Sequence, residues 1–218
     1  MTYVKTTLQH SIDIDAIITL HYFEYMKNFE FKGESHNFWE FLYVDKGTVA
    51  VRADDTWTTL YTGDIIFHQP NEFHAIKSIG KDSPNLVVMS FTSSSQAMSF
   101  FVNKSFTLSM EERAMISRII TEGRHTLATP MHIPSVEQVQ LKEHAPFSSQ
   151  QMILLYLEMF FVVNFDNLQL ADWFVFSFSI MIAIYLLILL DFLYALHHHL
   201  ELLQLLLIVL LVLQSIDK

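Results

Sequence analysis

Apolar and polar positions change rhythm twice along the chain. From residue 17 to 92, short runs of β-branched and aromatic residues recur at close intervals: 17–26, 38–45, 48–53, 57–61, 64–68, 73–77 and 86–92. Each is short enough for a strand and is bounded by Gly, Pro, Asn or Asp. Asp54-Asp55, between two such runs, is a hairpin turn. Many short strands with turn signals between them predict a small barrel or sandwich.

The rhythm then becomes helical. Residues 94–103 can form a short helix. Ser109-Met110-Glu111-Glu112 is a capping box, in which the Ser109 oxygen accepts from the Glu112 amide and the Glu112 carboxylate reaches back. Met115, Ile116, Ile119 and Ile120 follow at helical spacing, and the helix runs to about residue 126. Pro130, Pro134 and Pro146 mark 127–146 as an irregular connection. Ser148 or Ser149 caps another helix. From 152 to 163 that helix is apolar almost all round, so it must bury itself in a core or against a partner, and a dimer face is expected there.

Composition adds a third change. All five glycines and all five prolines lie in the first 146 residues. From 143 to 217 there is no Lys or Arg but seven acids, and 17 of the last 51 residues are Leu. A break near Phe165 is expected, dividing the chain into a barrel (1–92), a helical region (93–165) and a Leu-rich tail (166–218). Three origins fit the tail: an altered reading frame, a membrane anchor or a helical dimerisation element. Segment 173–190 has 18 residues without a charge, at the lower limit for a span, and no flanking cation to orient it. His197, His198 and His199 are consecutive, so on a helix they point in different directions and cannot chelate together. With no Cys, disulfides and thiolate metal sites are excluded. A net charge of −10 argues against nucleic-acid binding by the chain as a whole. The first 30 residues hold no signal-peptide pattern, and a cytoplasmic location is expected.

The densest chemistry lies in "ESHNFWEFLYVDKG", residues 34–47. Strand alternation puts His36, Phe38, Glu40, Leu42 and Val44 on one face and Trp39, Phe41, Tyr43 and Asp45 on the other. Both faces are mostly apolar and both should be covered. Glu40 then points into an interior, where a carboxylate must be paired, ligated or protonated. His36 and His74 are the expected partners, with His68 a third. On a straight strand residues 36 and 40 would stand about 13 Å apart. A shared ligand therefore needs a turn at 37–39, where only Asn37 favours one.

These residues resemble the cupins, whose two motifs, G-x5-H-x-H-x3,4-E-x6-G and G-x5-P-x-G-x2-H-x3-N, carry three histidines and a glutamate that bind a metal. His36, Glu40 and Gly47 fit the second histidine, the glutamate and the closing glycine. Glu34 stands at the first histidine and Asn28 at the opening glycine. Gly63 and His74 have the second motif's spacing; its proline is displaced by one, Glu72 lies in the region of its inner glycine, and Ser78 replaces its asparagine. The run "HNFWEFLYVDKGTVAV…LYTGDIIFHQPNEFHAI…PNLVVMSF", with "APFSSQQMILLYLE" at 145–158, is similar to the N-terminal sensing domain of AraC-type transcriptional regulators over residues 5–165.

That resemblance implies a mainly β fold: a cupin-like double-stranded β-helix, or jelly-roll, followed by a helical dimerisation segment. It implies a homodimer and a small-molecule effector, with no catalysis. Trp39 and Trp57 can stack on a flat ligand such as a sugar ring. Glu34, His36, Glu40, His74 and Trp39 are the expected ligand-binding residues. No cofactor is expected; the alternative is a divalent metal on His36, Glu40 and His74. DNA contact in this family belongs to a C-terminal domain of two helix-turn-helix units, basic and glycine-containing. Residues 166–218 lack that character, so the sequence is expected to be truncated before it. Two other classes compete: a metal-dependent cupin enzyme of isomerase or dioxygenase type, and a sensor anchored in a membrane through 173–190.

Overall fold

The computed structural model describes residues 2–169 and 177–187. The chain falls into two units, Met1–Asp166 and Asn167–Lys218. Among the described residues, the first unit contains nine strands: β1 (Ala16–Glu24), β2 (Glu30–Glu34), β3 (Trp39–Lys46), β4 (Thr48–Ala53), β5 (Thr56–Tyr61), β6 (Asp64–His68), β7 (His74–Ser78), β8 (Asn85–Thr92) and β9 (Ser105–Thr107). A 3₁₀ turn, Gln96–Phe101, precedes β9. Helix α1 (Met110–Thr126) follows, and residues 149–169 form a second helix, α2.

All pairings are antiparallel, in two sheets ordered β1-β8-β3-β6-β9 and β2-β7-β4-β5. This is the mainly β, cupin-like arrangement with C-terminal helices expected from the sequence. Strand β3 is the centre of the five-stranded sheet and is buried on both faces from Trp39 to Val44. Its even residues, Leu42 and Val44, face the barrel interior with Val49, Val51, Leu60, Ile66, Ile76 and Leu86. Its odd residues, Trp39, Phe41 and Tyr43, face a larger core outside the sheet.

That outer core is closed by helices. Met115, Ile116, Ile119 and Ile120 of α1 lie in it, as do Ile153, Leu157, Phe160 and Phe161 of α2. The predicted capping box starts α1: Ser109 N–H donates to Glu112 Oε2 at 2.6 Å, and Glu112 N–H donates to Ser109 Oγ at 3.3 Å. Phe161 packs on Phe67, Phe91, Phe101 and Phe160, with ring centroids 5.0 to 5.8 Å apart. The apolar girth of α2 therefore has an intramolecular use, which narrows the face left for a partner to Leu155 and Met159, 48% and 44% exposed.

Three features differ from the sequence reading. Strand β2 is an exposed edge with charged residues and no alternation, so it gives no periodic signal. The sheet also runs past residue 92, because β9 pairs with β6. Finally, the irregular connection 127–146 is tied down: Tyr22 N–H donates to Met131 O and Val139 N–H to Ile18 O, at 3.0 and 3.1 Å. It forms a strap along β1.

Segment 173–190 is described only at 177–187, which is helical; the three consecutive histidines lie outside the described residues. No helix among the described residues is long and apolar enough to cross a membrane.

Because Phe161 seals α2 onto the sheet, Phe161→Ala should lower unfolding free energy by about 3–5 kcal/mol in urea titrations. Leu155→Ala, on the exposed side of the same helix, should stay within about 0.5 kcal/mol.

Candidate functional site

The site begins with a bend. Strand β2 ends at Glu34, and β3 starts only at Trp39. Between them the chain bends at Asn37 and Phe38. The bend is held by Asn71 N–H donating to His36 O at 2.6 Å and by His36 Nδ1 on Phe38 O at 3.1 Å. The His36 ring stacks on Phe38 with centroids 3.7 Å apart. Residues 36 and 40 are thereby gathered: His36 Nε2 is 3.6 Å from Glu40 Oε2. The turn that a straight strand would forbid is made at the position marked by Asn37.

Pairing of β2 with β7 sets Glu34 opposite His74. Gly33 allows this approach: its φ is +110°, and a Cβ there would collide with the Phe73 ring and the His74 carbonyl. His74 Nε2 lies 3.4 Å from Glu40 Oε1 and 3.9 Å from Glu34 Oε1. Ligand atoms of Glu34, His36, Glu40 and His74 all fall within 4.8 Å of one another. Four of the five expected residues thus converge. Trp39 does not: it has the opposite parity from Glu40 and is buried in the outer core. Trp57 also lies away from the site, half-exposed on β5 with the Lys77 ammonium 4.4 Å above its ring.

The structure adds groups that the sequence did not single out. Ser90 and Thr19 share the inward parity of β8 and β1. Thr19 Oγ1 donates to Ser90 Oγ at 2.9 Å, and Ser90 Oγ donates to Glu40 Oε2 at 2.7 Å. His68, the third expected partner, stacks on His74 at 4.6 Å and sits 2.6 Å from Glu72 Oε1, with both side chains buried. His21 lines the same space from β1. Inward parity on their strands was the available signal for His68, His21, Thr19 and Ser90; Glu72 sits in a turn and had none.

Burial pushes the Glu40 carboxyl up, but the His36 imidazole 3.6 Å away, the charges of His74 and His68 and the Ser90 hydroxyl outweigh it and hold it down at about 2. Burial lowers the His36 imidazole, yet Glu40 and Glu34 more than compensate and its net shift is upward. For His74, burial wins and the shift is downward. Burial and the Glu40 charge raise Glu34.

His36 and His74 each direct Nδ1 to a backbone carbonyl, Phe38 O and Glu72 O. Nδ1 of each therefore carries a proton, and in the neutral ring Nε2 offers a lone pair. Both Nε2 atoms are buried without a hydrogen-bond partner. Two imidazole nitrogens and two carboxylates are a donor set suited to one divalent Zn, Fe, Mn or Ni ion. Above this floor lies a cavity of about 470 Å³. Tyr25, Phe29, Phe31, Leu42, Val51, Ile76 and Val88 supply apolar wall, and Pro134–Glu137 of the strap completes it.

The sign of the Glu40 shift predicts an acid limb. Its depressed value makes Glu40 stabilising above the ordinary 4.5, and this is lost as pH falls toward 2. The raised His36 value acts oppositely: its stabilisation is full below the ordinary 6.5 and fades above it. The stability gap between the native chain and Glu40→Gln should therefore be widest between about pH 4.5 and 6.5 and close toward acid, measured by urea unfolding across pH.

No curated protein matches the chain. Among solved structures it is similar to a cupin superfamily protein of Desulfitobacterium hafniense, at 17% identity over 33% of this chain and 63% of the other, with a TM-score of 0.30. It is similar to the cupin domain of Schizosaccharomyces pombe Cnp3, at 15% identity over 40% and 65%, TM-score 0.33. It is also similar to wild-type ToxT of Vibrio cholerae, solved with an unsaturated fatty acid bound, at 8% identity over 71% and 55%, TM-score 0.43. The chain thus spans between 55% and 65% of the length of these three structures. Residues 21–91, the part of the barrel that carries Glu40 and His74, match the family model described as the cupin domain.

Proposed function

We propose that residues 1–166 are a ligand-sensing and dimerisation module of the kind that AraC-type regulators carry, binding a small-molecule effector in the barrel. The observation that carries this reading is the cavity itself, in which converging polar groups lie beneath apolar walls. Such a shape can bury most of a small ligand while a few polar atoms fix its orientation. The strap supports a sensing role, since it contributes to the cavity wall and is bonded to both β1 and the end of α1. A cytoplasmic location, and action on DNA through a separate domain, belong to the same reading.

Dimerisation is assigned to the exposed side of α2. Leu155 and Met159 are one turn apart and both project from the face opposite the core. The double variant Leu155→Glu/Met159→Glu should weaken self-association of the full chain at least tenfold in sedimentation equilibrium. A native chain that stays monomeric at high concentration would overturn the assignment.

A second reading is favoured by one observation, the four-ligand floor. In a metal-dependent cupin enzyme, Glu34, His36, Glu40 and His74 would hold the ion, which would act as a Lewis acid toward a bound oxygen or carbonyl. The Ser90 and Phe38 contacts would orient the ligands. Elemental analysis of the purified full chain separates the readings. Stoichiometric metal, lost in both His36→Ala and His74→Ala, supports the enzyme; a metal-free chain that binds effector supports the sensor.

A further inference from the structure

We infer that the ligand of this cavity is an organic cation, an ammonium attached to an apolar or aromatic body. The inference deepens the sensing proposal and rests on it. The first ground is the balance of donors and acceptors on the floor. The Nδ1–H groups of His36 and His74 are committed to Phe38 O and Glu72 O. His68 Nδ1 is engaged by Glu72 Oε1. The Ser90 hydroxyl donates to Glu40, and the Thr19 hydroxyl donates to Ser90. What remains is acceptors: Glu34 Oε1, Glu40 Oε1 and, in the neutral rings, the Nε2 atoms of His36 and His74, gathered within one small space. His74 is only 5% exposed, and its Nε2 has no partner. A buried acceptor left unmatched is costly, so the complement must bring donor hydrogens of its own. An ammonium carries three and no lone pair.

Charge is the second ground. Glu34, Glu40 and Glu137 line the cavity, and none of its lining residues is Lys or Arg. A carboxylate or phosphate headgroup would meet three carboxylates with only the imidazoles of His21, His36, His68 and His74 to answer them, whereas a cation is matched by the carboxylates. Shape is the third. Tyr25, Phe29, Phe31 and Phe38 stand among the walls, giving apolar area to the ligand body and electron-rich faces to its charged end.

The experiment uses the purified full chain, stripped with chelator, and three probes of one shape: 2-phenylethylamine, 2-phenylethanol and phenylacetate. Calorimetric titration should show the amine binding at least tenfold tighter than the alcohol and the acid weakest. Glu40→Gln and Glu34→Gln should each cut amine affinity at least tenfold while changing alcohol affinity by less than threefold. Because Glu40→Gln can disturb the barrel, the half-exposed Glu34 supplies the independent variant. Added Zn²⁺ should compete with the amine for the same acceptors. Equal or tighter binding of the acid or the alcohol overturns the charge assignment and leaves the sensing cup intact. Zn²⁺ uptake with no binding of any probe overturns the cup and the assignment together.

Discussion

Glu40 carries its charge on the inward face of a strand buried on both sides, and the cavity floor is arranged around that cost. Removing a carboxylate from water is expensive unless hydrogen bonds and opposite charges replace the solvent. Here the replacement comes from four strands and a bend: Ser90 from β8, His74 from β7, His68 from β6, His36 from the turn before β3, and Thr19 behind Ser90 on β1. Each compensating group must sit at one register position. The alignment of Glu40 with both His68 and Ser90 is fixed by backbone pairing, so a slip of one residue in either neighbour would turn that partner to the other face of the sheet.

The same parity separates two jobs on a single strand. Even residues of β3 serve the barrel interior, and odd residues anchor the helices through Trp39, Phe41 and Tyr43. The ring packing of Phe41 against Phe160 places the helical layer directly behind the site, with one strand's thickness between them. A displacement of α2 is therefore felt by the strand that carries Glu40.

Much of this was legible from residues alone. Seven strands, the Asp54-Asp55 turn and the capping box at Ser109 follow from periodicity and turn chemistry, the pairing of Glu40 with His36 and His74 from strand parity, and the place of Glu34 beside them from the resemblance to the cupin motifs. What stayed hidden has physical reasons. An edge strand of charged residues such as β2 is held by pairing with β7 and has no buried face to write a pattern. Strand β9 is three residues long. The bend at Asn37 contains no Gly or Pro, because a hydrogen bond from Asn71 and a ring stack of His36 on Phe38 hold it. The aromatic character of Trp39 points to a ligand, but its odd parity puts it in the outer core. Glu72 belongs to a turn, where alternation says nothing about direction, and only the fold brings it to His68.

The strap has a consequence for what counts as the smallest working piece. Its residues 134–137 complete the wall of a cavity whose other walls come from strands ending more than forty residues earlier. Between the last of those strands and the strap lie the 3₁₀ turn, β9 and the whole of α1. A barrel excised at the end of its sheets would keep its hydrogen-bonded frame and its acidic floor but would be an open dish. The enclosed volume exists only once the chain has passed through α1 and come back, so the cup is a property of the folded sequence through the strap and cannot be inherited by the barrel alone.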